Sequence, residues 1–411
     1  MRSPVGAPLR GRDFRLFWAA NLVSLLGDGV ATVALALEAL QIDHNPSGLA
    51  LVLAARTVPA VALSLLGGVV ADRVARRTAL LVADVVRLLA VGAIAALVEV
   101  HAISLLALAL MAVVFGTADA FAGPAFLAFM PEIVPESLIT NANALNSTGS
   151  ELALNLVGPA LGGVVVAAIG IAGTFVLDAA TFGASALFLS RIGARRRPEA
   201  EHSTMVAEAL DGLRYIASRR WLLVLLVGAA AANLTGLGPY TVLLPPLVRH
   251  VLHASPIALG LVYASAGAAG VVASLVVARL GEPRHLLETM WAAYSASGLM
   301  VLALSQAPTT WIAALCAAGA AGLVVYGDVL YFSRLQRSVP KEILGRVSSA
   351  SFVMVMTLTP VGMVAGGLLA SGLGTRVALL ISGILSAACG LVVLIPGARD
   401  IDTVRAERVT V

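Results

Sequence analysis

Residues 16–37 read LFWAANLVSLLGDGVATVALAL, twenty-two positions with a single formal charge, Asp28. A helix climbs about 1.5 Å per residue, so a run of roughly 20 apolar residues crosses the hydrocarbon of a bilayer. Runs of the same kind recur along all 411 residues. The chain is 59% hydrophobic and 12% charged, with a mean hydropathy of +0.95. So little charge cannot coat a water-soluble domain of this length. The first run is too long for the apolar core of a leader and has no small-residue cleavage site after it, so it is expected to remain as a span.

Further spans are predicted at 47–70, 78–99, 103–127, 146–168, 171–190, 222–246, 257–278, 286–306, 310–332, 347–370 and 376–396. The expected fold is therefore all-α and integral to the membrane, with twelve transmembrane helices. Short connections make neighbours antiparallel, and the basic residues then sort by side. Of 27 Lys and Arg, 23 fall in the amino terminus, the 2–3, 6–7, 8–9 and 10–11 connections and the tail. Only Arg249 and Arg376 fall on the opposite side, while Arg56 and Arg87 lie within spans. Basic loops stay cytoplasmic, which places both termini in the cytoplasm of a cell-membrane protein. The same distribution explains the pI near 9.4 without nucleic acid as a partner. Cys316 and Cys389 lie far apart in apolar runs and read as buried small hydrophobes.

The halves repeat. Val134-Pro135-Glu136-Ser137-Leu138 before span 5 matches Val339-Pro340-Lys341-Glu342-Ile343 before span 11, and Gly162-Gly163 matches Gly366-Gly367. These offsets, 205 and 204 residues, are about half the chain. The expected organisation is an amino-terminal six-helix bundle over 1–190, a charged cytoplasmic linker over 191–221 with one amphipathic helix, and a second six-helix bundle over 222–411. Such repeats are a mark of transporters that rock about a midplane site.

The connection between spans 2 and 3 reads Gly68-Val69-Val70-Ala71-Asp72-Arg73-Val74-Ala75-Arg76-Arg77. It resembles the Gly-x-x-x-Asp-Arg-x-Gly-Arg-Arg signature of the major facilitator superfamily, with Ala75 in place of the second Gly. Gly158-Pro159-Ala160-Leu161-Gly162-Gly163 in span 5 is similar to the Gly-Pro-x-x-Gly-Gly motif of drug/proton antiporters. Phe14 to Trp18, Leu26-Gly27-Asp28 and the stretch PESLITNANALN from Pro135 narrow the resemblance to the branch of enterobactin exporters and macrolide efflux proteins. The resemblance implies two six-helix bundles, alternating access and export driven by protons. In that pattern Gly68, Asp72, Arg73, Arg76 and Arg77 form a cytoplasmic gate, and Gly158, Pro159, Gly162 and Gly163 limit leakage. Drug/proton antiporters carry an Arg in span 4 where this chain has Ala112, so the proton-relay role of that Arg does not carry over.

The residues have physical readings of their own. Gly68 permits close helix approach and Asp72 faces helix-end donors, whereas the arginines alone would be explained by topology. Charges within spans are costly and call for a partner or a function. Asn21, Ser24, Asp28 and Thr32 recur at helical spacing, a polar stripe expected to face a cavity. Asp28 is either a proton or substrate site, or a hydrogen-bonded carboxylate beside Gly27 and Gly29. Its counterpart one repeat later is Asn233, which cannot titrate, so coupling is expected in the first half. Asp119 and Asp328 occupy roughly corresponding positions in spans 4 and 10 and are either cavity titration sites or paired. Glu151 and Asn155 extend a stripe from Asn143 and Ser147. Asp84 and Arg87 sit three apart and are expected to pair. Arg56 needs a partner that the sequence does not identify, and the family resemblance implies a peripheral place for span 6 and its Asp178. Gly158-Pro159 with Gly162-Gly163 permits a bend and tight packing.

All six histidines fall in loops or at span ends, and no phosphate-cradling Gly-Lys-Ser/Thr run, zinc spacing or nucleophile–base arrangement occurs. These absences argue against an ATP-driven pump or an intramembrane protease. No enzyme activity, cofactor or metal is expected. The expected function is a monomeric, proton-coupled exporter whose partners are a small lipophilic or amphipathic substrate, protons and the bilayer. The alternatives are an importer or facilitator of the same fold, or a membrane sensor that transports nothing.

Overall fold

In the computed structural model, residues 6–64, 66–67, 74–193, 213–281, 283 and 285–391 are described. The first four helices are α1 (Arg12–Ile42), α2 (Pro46–Ala62), α3 (Arg76–Glu99) and α4 (Leu105–Ile133). Pro46 opens α2, where its missing donor costs nothing, and the Ser104 hydroxyl caps α4 by accepting from the Ala107 amide. A continuous helical run then carries both α5 (139–169) and α6 (170–190). The two are separated by Gly170, whose φ of +74° reverses the chain at little steric cost. Next come α7 (220–251), α8 (Pro256–Leu280), α9 (Leu286–Ser305), α10 (Thr310–Ser338), α11 (341–373) and α12 (Thr375–Cys389). Nine described stretches are long and apolar enough to cross a membrane, one of them the 55-residue run holding α5 and α6. With that run divided at Gly170, and with the shorter apolar α2 and α12, the spans number twelve. Wide π-type turns interrupt α5 at Leu152–Val157 and α7 at Asn233–Leu237.

The chain forms two compact units. One comprises Met1–His202 with Val248–Gly267, the other Ser203–Leu247 with Ala268–Val411. In the first, α1 lies along the α5–α6 run, α2 packs on α4, and α3 packs on α4 and the α5–α6 run. At one end Phe17 stacks on Phe126, with ring centroids 4.4 Å apart, and meets Phe129 edge-on at 5.6 Å. In the second, α9 packs on α10 and α12, and Gly238–Pro246 of α7 packs on Thr359–Leu373 of α11. Leu89, Leu127, Leu280 and Trp311 are all more than 60% exposed, a surface suited to lipid and not to water.

Lipid is as apolar as a leucine side chain, so helices here associate by close packing. Small residues set how close. A Cβ on Gly158 would lie 2.7 Å from Gly29 Cα, so α1 and α5 touch through their backbones. The second unit repeats the contact: Gly362 of α11 meets the backbone of Leu234 on α7. The partners in both contacts are related by the half-chain offset read from the sequence.

Candidate functional site

Two arginines inside the first unit organise its polar interior. Arg56, on α2, reaches Asp119 of α4 at 3.3 Å and Asp28 of α1 at 3.7 Å. Arg87, on α3, reaches the other oxygen of Asp119 at 2.5 Å and Asp84 of its own helix at 3.5 Å. Asp84, 5% exposed, also accepts from the Ser185 hydroxyl of α6 at 2.6 Å. Phe115 of α4 fills the space between the cations. The Arg56 guanidinium lies 4.2 Å from the ring centroid and that of Arg87 5.6 Å away, a geometry in which the ring face attracts each cation. Asp178 of α6 is 1% exposed, and its carboxylate lies against the α1 backbone at Gly27. Four carboxyl groups and two guanidiniums therefore share one partly buried region.

The second unit holds a cavity of about 340 Å³. Its walls are largely apolar and aromatic, including Leu237, Val301, Val324, Val325, Phe332, Phe352 and Val355. Among the described residues, Asp328 is the one charged residue lining it. The Asp328 carboxylate accepts from the Tyr294 hydroxyl at 2.7 Å. The Tyr240 hydroxyl is buried with no hydrogen-bond partner among the described residues, and Asn233 donates to the Val355 carbonyl at 3.2 Å. A site of this kind offers dispersion contact over most of a ligand and one anionic anchor. Its volume falls in the roughly 300–1,000 Å³ range of small-molecule sites.

Residues 3–408 match the family described as transmembrane secretion effector, within the major facilitator superfamily. The chain belongs to that family. It is 28% identical over 413 residues to the multidrug efflux pump Tap of Mycobacterium tuberculosis, covering 96% of this chain and 95% of that one. To the enterobactin exporter EntS of Citrobacter koseri it is 26% identical over 389 residues, covering 93% and 89%. A solved POT family transporter in complex with 5-aminolevulinic acid shares the fold with a TM-score of 0.76 at 10% identity, over 96% of this chain and 97% of its own. The nucleoside transporter NupG gives 0.71 at 12% identity, over 93% and 99%. The protein is thus a multi-pass membrane transporter, as the 2–3 signature and the half-chain repeat implied.

Ala112, where drug/proton antiporters carry an Arg, is buried in α4. Arg56 and Arg87 bring guanidiniums from α2 and α3 to Asp119 on α4. The partner of Arg56 was invisible in the sequence because Asp119 stands 63 positions away. Asp178, expected at the periphery, is buried against α1; Thr181 and Ser185 on the same helix were the available signal of a polar face.

The α1 stripe divides. The Asn21 side chain donates to Asn146 at 3.0 Å and Ser150 at 3.2 Å, tying α1 to α5. Ser24 and Thr32 instead donate to their own helix, to the carbonyls of Asn21 and Asp28. Glu151 is exposed and accepts from Asn155 at 2.7 Å. Arg76 donates to the Ala128 carbonyl at 2.9 Å and pairs with Glu132 at 2.7 Å. Arg77 donates to the last carbonyls of α6, Leu189 at 2.9 Å and Ser190, where a cation meets the negative end of a helix. Gly68, Asp72 and Arg73 lie outside the described residues. Gly158 and Gly162 pack on α1, and Gly163 meets the Pro256–Ile257 backbone within the first unit.

Proposed function

We propose that this transporter is a secondary active exporter of small lipophilic or amphipathic molecules, coupled to protons and working by alternating access. The observation that carries the reading is the cavity of the second unit. Apolar and aromatic walls favour a lipophilic body, and Asp328 favours a cation or a strong hydrogen-bond donor on it. An anionic cargo would meet Asp328 unfavourably, since two like charges in an apolar site repel strongly. The efflux pumps among the relatives support export as the direction. The charge network of the first unit supports coupling there, with Asp28, Arg56 and Asp119 as the elements that exchange partners.

Counterflow in proteoliposomes against cationic, neutral and anionic amphipathic compounds tests the reading. Cationic compounds are expected to exchange, and a protein that moves none of the panel would refute it. Asp328→Asn is expected to weaken cationic cargo by about 10- to 100-fold, the loss of one charge-assisted contact of roughly 1.5–3 kcal/mol. A neutral cargo should be little changed. Equal losses for both would show that Asp328 shapes the cavity and does not bind charge.

The same reading has a topology: bundles at 1–190 and 222–411, a cytoplasmic linker over 191–221, and both termini inside. In a background without Cys316 and Cys389, cysteines at Asn45 or Pro308 are expected to react with an impermeant thiol reagent in intact cells. A cysteine at Glu136 should react only after permeabilisation. The opposite pattern would reverse the orientation drawn from the basic loops.

A further inference from the structure

Of the four clustered carboxyl groups, Asp178 is the one without an ion pair to Arg56 or Arg87 among the described residues. Among the described residues its side chain meets the Thr181 hydroxyl alone, at 3.4 Å. That hydroxyl already donates to the Asp178 backbone carbonyl at 2.7 Å, so the carboxylate has only the longer branch of a shared hydrogen. On its other side, a Cβ at Gly27 would stand 2.5 Å from Asp178 Oδ1, so the group lies one residue from Asp28.

The charged groups around it are Asp28 from α1, Arg56 from α2, Asp84 and Arg87 from α3 and Asp119 from α4. Arg56 is engaged by Asp28 and Asp119, and Arg87 by Asp119 and Asp84. Four ionised carboxylates against two guanidiniums would leave two uncompensated negative charges inside a membrane-embedded unit. An ionised carboxylate buried without a counter-charge is far costlier than its neutral acid. A proton on Asp178, the carboxyl outside both sets of ion pairs, removes one of those two charges. Arg56 is within electrostatic reach of Asp178, so a turn of that guanidinium away from Asp28 can compensate the charge left by a departing proton.

We propose that Asp178 carries the exchanged proton of the transport cycle. It holds the proton while Arg56 is engaged by Asp28 and Asp119. When Arg56 turns toward α6, the Asp178 O–H bond breaks and the proton passes to water, leaving a carboxylate beside the guanidinium. The assignment rests on the proton-coupled reading given above and names the residue that executes it.

Infrared difference spectroscopy on the full chain in lipid tests the protonation directly. At neutral pH, wild type minus Asp178→Asn is expected to contain the C=O stretch of a protonated carboxylic acid. Asp178→Glu should keep that band at a shifted position, which covers the case of an unstable Asn variant. No band in wild type, or a band that both variants leave unmoved, overturns the proposal. Transport supplies the second readout. One proton exchanged per substrate turns a pH difference of one unit into about a tenfold concentration ratio. Asp178→Asn is expected to bring that ratio close to one, and Asp178→Glu to retain part of it. A tenfold ratio in Asp178→Asn makes the carboxyl structural and overturns the proposal. Should wild type accumulate nothing under a gradient, the export reading fails while the infrared result still decides the state of Asp178.

Discussion

Arg87→Met is expected to destabilise the detergent-solubilised protein by about 3–5 kcal/mol, the cost of leaving a buried charge without its partner. The side chain is 13% exposed and is held by Asp119 at 2.5 Å and Asp84 at 3.5 Å. Without it, the buried Asp84 keeps the Ser185 hydroxyl as its neutral donor. The double variant Arg87→Met, Asp84→Asn should recover much of the loss, because the stranded charge goes with its partner. Arg56 makes the contrast. Its side chain is 33% exposed and its contacts are longer, so Arg56→Met should cost clearly less. Chemical unfolding of the four proteins checks this. An Arg87→Met protein within about 1 kcal/mol of wild type would mean that the ion pair contributes little to the fold.

The second large effect concerns Asp28. Neutralising it removes the partner that holds Arg56 on the α1 side, so the guanidinium no longer switches between Asp28 and Asp178. Asp28→Asn is therefore expected to lose gradient-driven accumulation, about a tenfold ratio falling to near one for a one-unit pH difference. Asp28→Glu should retain part of it. The measurement is substrate accumulation in proteoliposomes with and without an imposed pH gradient. Accumulation at the wild-type level in Asp28→Asn would assign Asp28 to structure alone.

The spans were legible in the sequence because their physics is local: length, hydropathy and the scarcity of charge suffice. The pair Asp84–Arg87 was legible for the same reason, since three positions along a helix place two side chains on one face. The rest of the network was not. The helix carrying Arg56 is apolar on nearly every side, so no polar face announces which way that residue points. Arg56 finds Asp119, and Asp84 finds Ser185, through helix packing across 63 and 101 positions. The cavity around Asp328 was equally hidden, because its walls are drawn from several separate helices and have the same composition as lipid-facing surface. The glycine contacts lie in between. The span-5 motif marked Gly158 and the repeat marked Gly162 and Gly366, but their partners on α1 and α7 are set by helix packing.

The wide turn at Leu152–Val157 makes the length of α5 as constrained as its composition. Ser150, before the turn, meets Asn21; Gly158 and Gly162, beyond it, meet Gly29 and Val30. Helical residues advance by roughly 100°, so in an uninterrupted helix Gly158 and Gly162 would stand roughly 80° and 120° away from the Ser150 face. A turn that absorbs one residue brings both to roughly 20° on either side of it, and all three contacts fall on α1. Deleting one residue between 152 and 157 would therefore replace the wide turn with regular helix and leave both glycines facing α1. Inserting one there, with the turn still absorbing one residue, would swing them roughly 80° and 120° off the Ser150 face. Reading frame along the helix axis, and not side-chain identity alone, is what this stretch has to preserve.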